Sequence, residues 1–280
     1  MRTLKVLLDG LAFPEGPRWH DGKFFFSDMH AHQVRAVDMA GKSQLICEVP
    51  AEPSGLGWLP DGRMLVVSMT DRKLLRLDRD GLKMVADMSK LAPFHCNDMV
   101  VDAAGRAYVG NFGFDLHANE KPRGTTLVMV APVGSARIVA EELMFPNGMV
   151  ITPDGKTLIV GETFGRRLTA FDVAADGSLK NRRVWADLGK SLPDGICLDA
   201  ENAIWVACPT GSEVIRVKQG GEVTERIKVE TDAFACMLGG PDGRTLFVAT
   251  AANSDPEKCR ADRTGRIEMT QVEVPRAGLP

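Results

Sequence analysis

NGMVITPDGKTLIVGET, residues 147–163, reads as two short apolar runs of strand character joined by Asp154-Gly155, a dipeptide suited to the φ > 0 positions of a hairpin turn. The same format recurs five more times. The copies are EGPRWHDGKFFFSD from Glu15, SGLGWLPDGRMLVVSM from Ser54, NDMVVDAAGRAYVGNF from Asn97, DGICLDAENAIWVACP from Asp194 and ACMLGGPDGRTLFVATA from Ala235. Their starts lie 39, 43, 50, 47 and 41 residues apart, near the ~40–50 residues of a four-stranded propeller blade. Further strand-like runs follow most copies, among them HQVRAVDM, RKLLRLDRDG, TTLVMVAPVG, RRLTAFDVAADG and SEVIRVKQGG.

The pattern predicts an all-β chain: a six-bladed β-propeller of four antiparallel strands per blade, forming one domain over residues 1–280. No run of helical period longer than a turn near residues 87–91 interrupts the strands, which excludes a doubly wound α/β fold. Residues 3–8 and 267–274 are spare relative to the six copies, so N- and C-terminal strands are expected to share a blade and close the ring. Residues 113–124 form the longest insertion, polar and turn-rich, and are expected to make a lid over one face.

Thirty-four Lys and Arg balance 37 Asp and Glu, for a formal charge of −3. With no basic stripe, nucleic acid and anionic membrane are not expected partners. The opening apolar patch is broken by Lys5 and Asp9 and lacks a cleavage site, and no apolar run approaches membrane length. A cytoplasmic protein, monomeric or weakly dimeric, is expected. The six cysteines lack CxxC spacing and read as small buried thiols.

Aligned on their turns, the copies bring Glu15, Ser54, Asn97, Asn147, Asp194 and Ala235 to one phase, the head of each innermost strand. Such positions converge on the propeller axis. Two carboxylates and two amides there suit a hard cation such as Ca²⁺, although a wet channel lined by polar residues fits the phase equally. No His or Cys set shares the phase, which argues against a closed zinc site.

FPEGPRW around Glu15, HCNDMVVDAAGRAYVG around Asn97, FPNGMVITPDGKTLIVGET around Asn147 and PDGICLDAENAIWVA around Asp194 resemble the gluconolactonase, regucalcin and senescence-marker-protein family. The resemblance spans nearly the whole chain. It implies a metal-dependent lactonase with one divalent ion, Ca²⁺ first and Zn²⁺ or Mn²⁺ as alternatives, bound by Glu15, Asn147 and Asp194. It further implies that Asn97 contacts the metal shell or the substrate, and that Asp194 is also the catalytic base. His95 stands where the family often has Arg, and residues 112–114 offer no sugar-binding signature. Both point to a substrate less polar than gluconolactone.

His95 is expected on the same face as Asn97 if the backbone is extended, as a substrate contact or proton shuttle, or else as a structural His. His117, with Asp115 and Glu120, belongs to the expected lid and is either a substrate contact or a solvated residue. His30 and His32 read as a surface loop, Glu162 with Arg166 as an ion pair at a turn, and Met149 and Met237 as core. No GxSxG elbow, Walker loop or dinucleotide fingerprint is present, and the metal-dependent lactone hydrolase that the resemblance implies is the leading reading. Its rivals are a non-catalytic calcium-binding propeller and an esterase or phosphotriesterase using the same ion.

Overall fold

A computed structural model describes residues 2–280. Six four-stranded antiparallel sheets surround one axis. Five blades are continuous in sequence, with inner strands Pro14–His20, Pro53–Trp58, Cys96–Val101, Pro146–Ile151 and Ile196–Leu198. The sixth blade takes Asp232–Gly239, Thr245–Ala251 and Gly265–Gln271 from the end of the chain and its outermost strand, Lys5–Leu11, from the beginning. Lys5 lies opposite Met269 and Leu11 opposite Gly265, so the expected closure holds.

Inner strands are covered on both faces by neighbouring blades, and their side chains follow suit: every residue of Cys96–Val101 and Pro146–Ile151 is buried. Outer strands such as Leu179–Asp187 are mostly exposed and charged. Met149 and Met237 are core residues. All six cysteines are free, and five are buried.

Turn chemistry separates the copies. Asp21 and Gly22 both have positive φ and make the two-residue hairpin that Asp-Gly favours. At Gly62, Gly105 and Gly155 only the glycine is left-handed, and its N–H donates to the carbonyl three residues back, giving longer loops.

Three local expectations are corrected. Residues 87–91 form a strand end and a turn, and the α-helix among the described residues is Pro256–Asp262, started by Asp255, whose side chain accepts from Lys258 N at 2.9 Å. Glu162 is buried and pairs with Arg167 at 2.9 Å and Arg182 at 3.2 Å rather than with Arg166, because Arg167 is its partner across the strand pair. His30 lies in the short 3₁₀ turn Met29–Ala31 and is buried, not on a surface loop.

After its last strand the chain crosses the turn ends of three blades. Arg276 N donates to Gly243 O, Ala277 N to Leu198 O and Leu279 N to Ile151 O. The opposite end of the channel carries the heads of the inner strands.

Candidate active site

The inner strands do not run regularly through the positions expected to converge. Register irregularities fall between Glu15 and Arg18, Pro53 and Leu56, Cys96 and Met99, Pro146 and Met149, and Ala233 and Ala235. In the fifth blade, Asp194 and Gly195 precede a strand that begins only at Ile196. A bulge bends its strand and re-aims one side chain. Here it turns the heads of the strands toward the axis.

Close approach of neighbouring blades explains the glycines that follow. A Cβ on Gly148 would lie 2.5 Å from Ile196 N, and one on Gly195 would lie 2.5 Å from the Cβ of Ala235. Asn147 and Asp194 are thus held next to backbone that touches the adjoining blade. Asp98 occupies the equivalent position in the third blade and instead accepts a 2.6 Å ion pair from Arg18. Both groups are buried, at 4% and 8% side-chain exposure. The same guanidinium donates to the carbonyls of Leu56 and Pro17, at 2.9 and 2.7 Å, and to that of Met99. Arg18 and Asp98 escaped the sequence reading; an ionisable residue where four copies have Gly was the available signal.

Glu15, Asn97, Asn147 and Asp194 line one cavity of about 130 Å³; Ser54 and Ala235 complete the ring without lining it. Burial pushes the Glu15 carboxyl up to about 8, against the 2.9 Å hydrogen bond from Gly16 N, with the charge of Asp98 adding to the rise and Arg18 opposing it. Asp194 is pushed well above the usual carboxylate range by burial and then by Glu15, while a hydrogen bond from Asn147 works the other way. The Asn147 amide also donates to Thr163 Oγ1 at 3.3 Å, and that of Asn97 to Pro146 O at 3.4 Å. Neither amide oxygen accepts a hydrogen bond among the described residues.

This set is two carboxylates and two amide oxygens facing one volume. Among the described residues, His, Cys, Asp and Glu alone form no cluster of three able to hold a metal. The ring becomes a donor set for a hard cation when its amide oxygens are counted with Glu15 and Asp194.

Above the polar floor the walls are apolar. Phe13, Phe112, Phe145, Phe164 and Phe234 line the cavity with Met29, Met69 and Leu116. They belong to a cluster of their own, with Phe112 stacked on Phe145 at 4.5 Å and Phe13 edge-on to Phe234 at 4.7 Å.

His30 also lines the cavity. Its ring stacks on Phe13 at 5.1 Å, and Nδ1 lies 3.0 Å from Glu52 Oε1, leaving Nε2 as its free polar atom. Burial would raise the Glu52 carboxyl, but the contact with His30 wins and holds it below its ordinary value. His117 borders the cavity from the 113–124 insertion, beside Leu116. His95 does not line it. The irregularity after Cys96 breaks the period-two alternation that would have aligned it with Asn97, and its ring instead stacks on Phe94 at 4.1 Å.

The profile of the family described as SMP-30/Gluconolactonase/LRE-like region matches residues 13–252. Regucalcin of Xenopus laevis is 26% identical over 265 residues, covering 90% of this chain and 88% of the relative. A 6-deoxy-6-sulfogluconolactonase of Pseudomonas putida is 24% identical over 288 residues, covering 99% and 98%. Among solved structures, a regucalcin of Agrobacterium tumefaciens described as a calcium-binding protein superposes with a TM-score of 0.83 at 22% identity, covering 100% of this chain and 97% of that one.

Proposed function

The chain belongs to the SMP-30/gluconolactonase/LRE-like family, and from that premise we propose that it is a divalent-metal-dependent lactonase, opening a cyclic ester by attack of water. The observation that carries the reading is the convergence of Glu15, Asn97, Asn147 and Asp194 on one cavity. Two carboxylates with raised proton affinity, buried Glu15 and half-buried Asp194, face that cavity, and no Lys or Arg lines it to neutralise them. A hard cation fits this donor set. Glu15, Asn147 and Asp194 would hold it, Ca²⁺ first and Zn²⁺ or Mn²⁺ as alternatives. When bound, the ion supplies Lewis-acid stabilisation of the negative charge that develops on the lactone carbonyl oxygen.

The chain's own groups do the rest. Asp194 accepts a proton from water as its oxygen adds to the carbonyl carbon; the ring C–O bond then breaks and that proton passes to the departing alkoxide. His30 positions the water. Its Nδ1–H donated to Glu52 fixes the tautomer in which Nε2 accepts a hydrogen bond from the cavity. Asn97 and His117 contact the substrate, whereas His95 stands outside the cavity, its ring centroid 6.0 Å from that of Phe112.

His30→Gln is expected to lower kcat by roughly 10- to 100-fold with little change in KM, and His95→Gln to change kcat/KM by less than about 3-fold. Steady-state kinetics on the two variants checks both. Equal losses would place His95 in the reaction, and an unimpaired His30→Gln enzyme would remove His30 from it.

Removal of the metal has a signed pH dependence. Burial pushes the Glu15 carboxyl up to about 8 in the folded chain against 4.5 as its ordinary value, so between those values the folded state binds more protons than the unfolded one. Stability of the metal-free protein therefore falls as pH rises through that range. A cation that binds the ionised carboxylates restores most at the alkaline end. Melting in EDTA and in Ca²⁺ at pH 5, 6.5 and 8 should show a falling metal-free Tm and a widening gap between the two curves. A gap that is constant with pH would detach these carboxylates from the ion.

The reading as a whole is tested by hydrolysis of a lactone panel with metal-stripped and metal-restored protein. Tight Ca²⁺ binding without turnover of any lactone or simple ester would move the protein to a binding role.

A further inference from the structure

We propose, building on the lactonase reading, that the substrate is an uncharged lactone carrying an alkyl or aryl substituent rather than a polyhydroxylated or anionic sugar lactone. The structural basis is the composition of the cavity above its polar floor. Five phenylalanines, two methionines and one leucine make the walls, and no Lys or Arg faces the cavity. A sulfonate, phosphate or carboxylate on the ring substituent, away from the ion, would find no Lys or Arg to pair with.

Hydroxyl groups fare no better. Outside the four floor residues, the cavity's polar side chains are His30, His117, Thr163 and Ser254. The hydroxyl of Thr163 is already donated to Pro193 O at 2.7 Å, and His30 gives Nδ1 to Glu52 and keeps Nε2 for the attacking water. His117 is exposed on the insertion at the mouth. A sugar lactone would lay several hydroxyls against phenyl rings, and a hydroxyl desolvated without a partner loses its hydrogen bonds to water. An alkyl or phenyl substituent gains from the same wall. The rings are mutually braced, Phe145 touching Phe112, Phe114 and Phe164 at centroid separations of 4.5, 5.7 and 5.3 Å. That bracing preorganises the wall.

The test uses Ca²⁺-loaded full-length protein and six-membered lactones that differ only in substituents. They are δ-valerolactone, its derivatives with a pentyl or phenyl group on the ring carbon next to the ring oxygen, and glucono-δ-lactone. Expected is a kcat/KM for the pentyl and phenyl compounds at least about 100-fold above that for glucono-δ-lactone. In Phe164→Ala the ratio of phenyl-substituted to unsubstituted kcat/KM should fall by about 10-fold, with Phe164→Leu restoring most of it for the pentyl compound. Phe164 is only part-buried, so this change spares the core.

Calorimetric binding of 6-phenyl-2-piperidinone and glucono-δ-lactam, where ring nitrogen replaces the ester oxygen, gives a readout independent of turnover. The phenyl lactam should bind at least about 30-fold more tightly. Glucono-δ-lactone hydrolysed as well as, or better than, the substituted lactones would overturn this inference while leaving the lactonase reading intact. Selective binding of the phenyl lactam with no lactone hydrolysed would overturn the lactonase reading, and with it the lactone as substrate, while leaving the cavity's preference for an apolar substituent standing. Equal binding of the two lactams, or none of either, would also overturn the inference.

Discussion

Asp194→Asn is expected to reduce kcat/KM on every hydrolysed lactone by at least about 1,000-fold, because one atom change removes both the proton acceptor and an anionic metal donor. The substitution keeps side-chain volume and shape next to Gly195, whose backbone abuts Ala235. It also removes a carboxyl whose ionisation the surroundings oppose. The metal-free variant should consequently melt no lower than the wild type at pH 8, and its Ca²⁺ affinity should fall. That pairing separates a lost reaction from a lost fold. A variant that retains more than about a tenth of wild-type activity with metal bound would assign the base elsewhere, with His30 next in line.

Arg18→Met should carry the largest stability effect. The guanidinium is enclosed in the channel wall, donating to Asp98 and to three backbone carbonyls from three inner strands. Methionine fills much of the space but leaves Asp98 buried without its counter-charge and the carbonyls without their donor. Breaking a buried pair from one side costs about 3–5 kcal/mol, a drop in Tm on the order of 10 °C for a chain of this size. Replacing Asp98 by Asn in the same protein removes the orphaned charge and should recover a measurable part of the loss. Denaturant unfolding of the single and double variants checks this, and additive losses would show that the two groups do not act as a pair.

Much of this is legible in the sequence. The blades could be read because each repeats a hairpin with Gly at its turn, and the spare terminal runs could only complete the sixth. The phase that brings Glu15, Asn97, Asn147 and Asp194 together survives small errors of strand boundary, since all six copies shift alike. What alternation could not supply was the bulge at that phase, a local break in the two-residue period. It is why His95 misses the cavity that Asn97 lines. His30 was hidden for a related reason: Met29 to Ala31 form a 3₁₀ turn before Gln33 begins the next strand, and a turn has no two-residue period to show which of its side chains is buried. The phenylalanine wall was visible in part, as the first residue of FPEG and FPNG. Its meaning depended on Phe112, Phe164 and Phe234 arriving from other positions in the repeat.

The strand Lys5–Leu11 closes the ring by lying against Gly265–Gln271, which gives protein synthesis an unusual constraint. The first strand of the propeller to be synthesised is among the last to find its place. At roughly 5–20 residues per second, Leu7 and Leu8 wait on the order of tens of seconds for the partner that will cover them. Five blades can assemble in order of emergence, whereas the sixth cannot be completed until Gly265–Gln271 has emerged to meet Lys5–Leu11. Closure then joins the most distant parts of the chain in one step, and non-local pairing of that kind is slow.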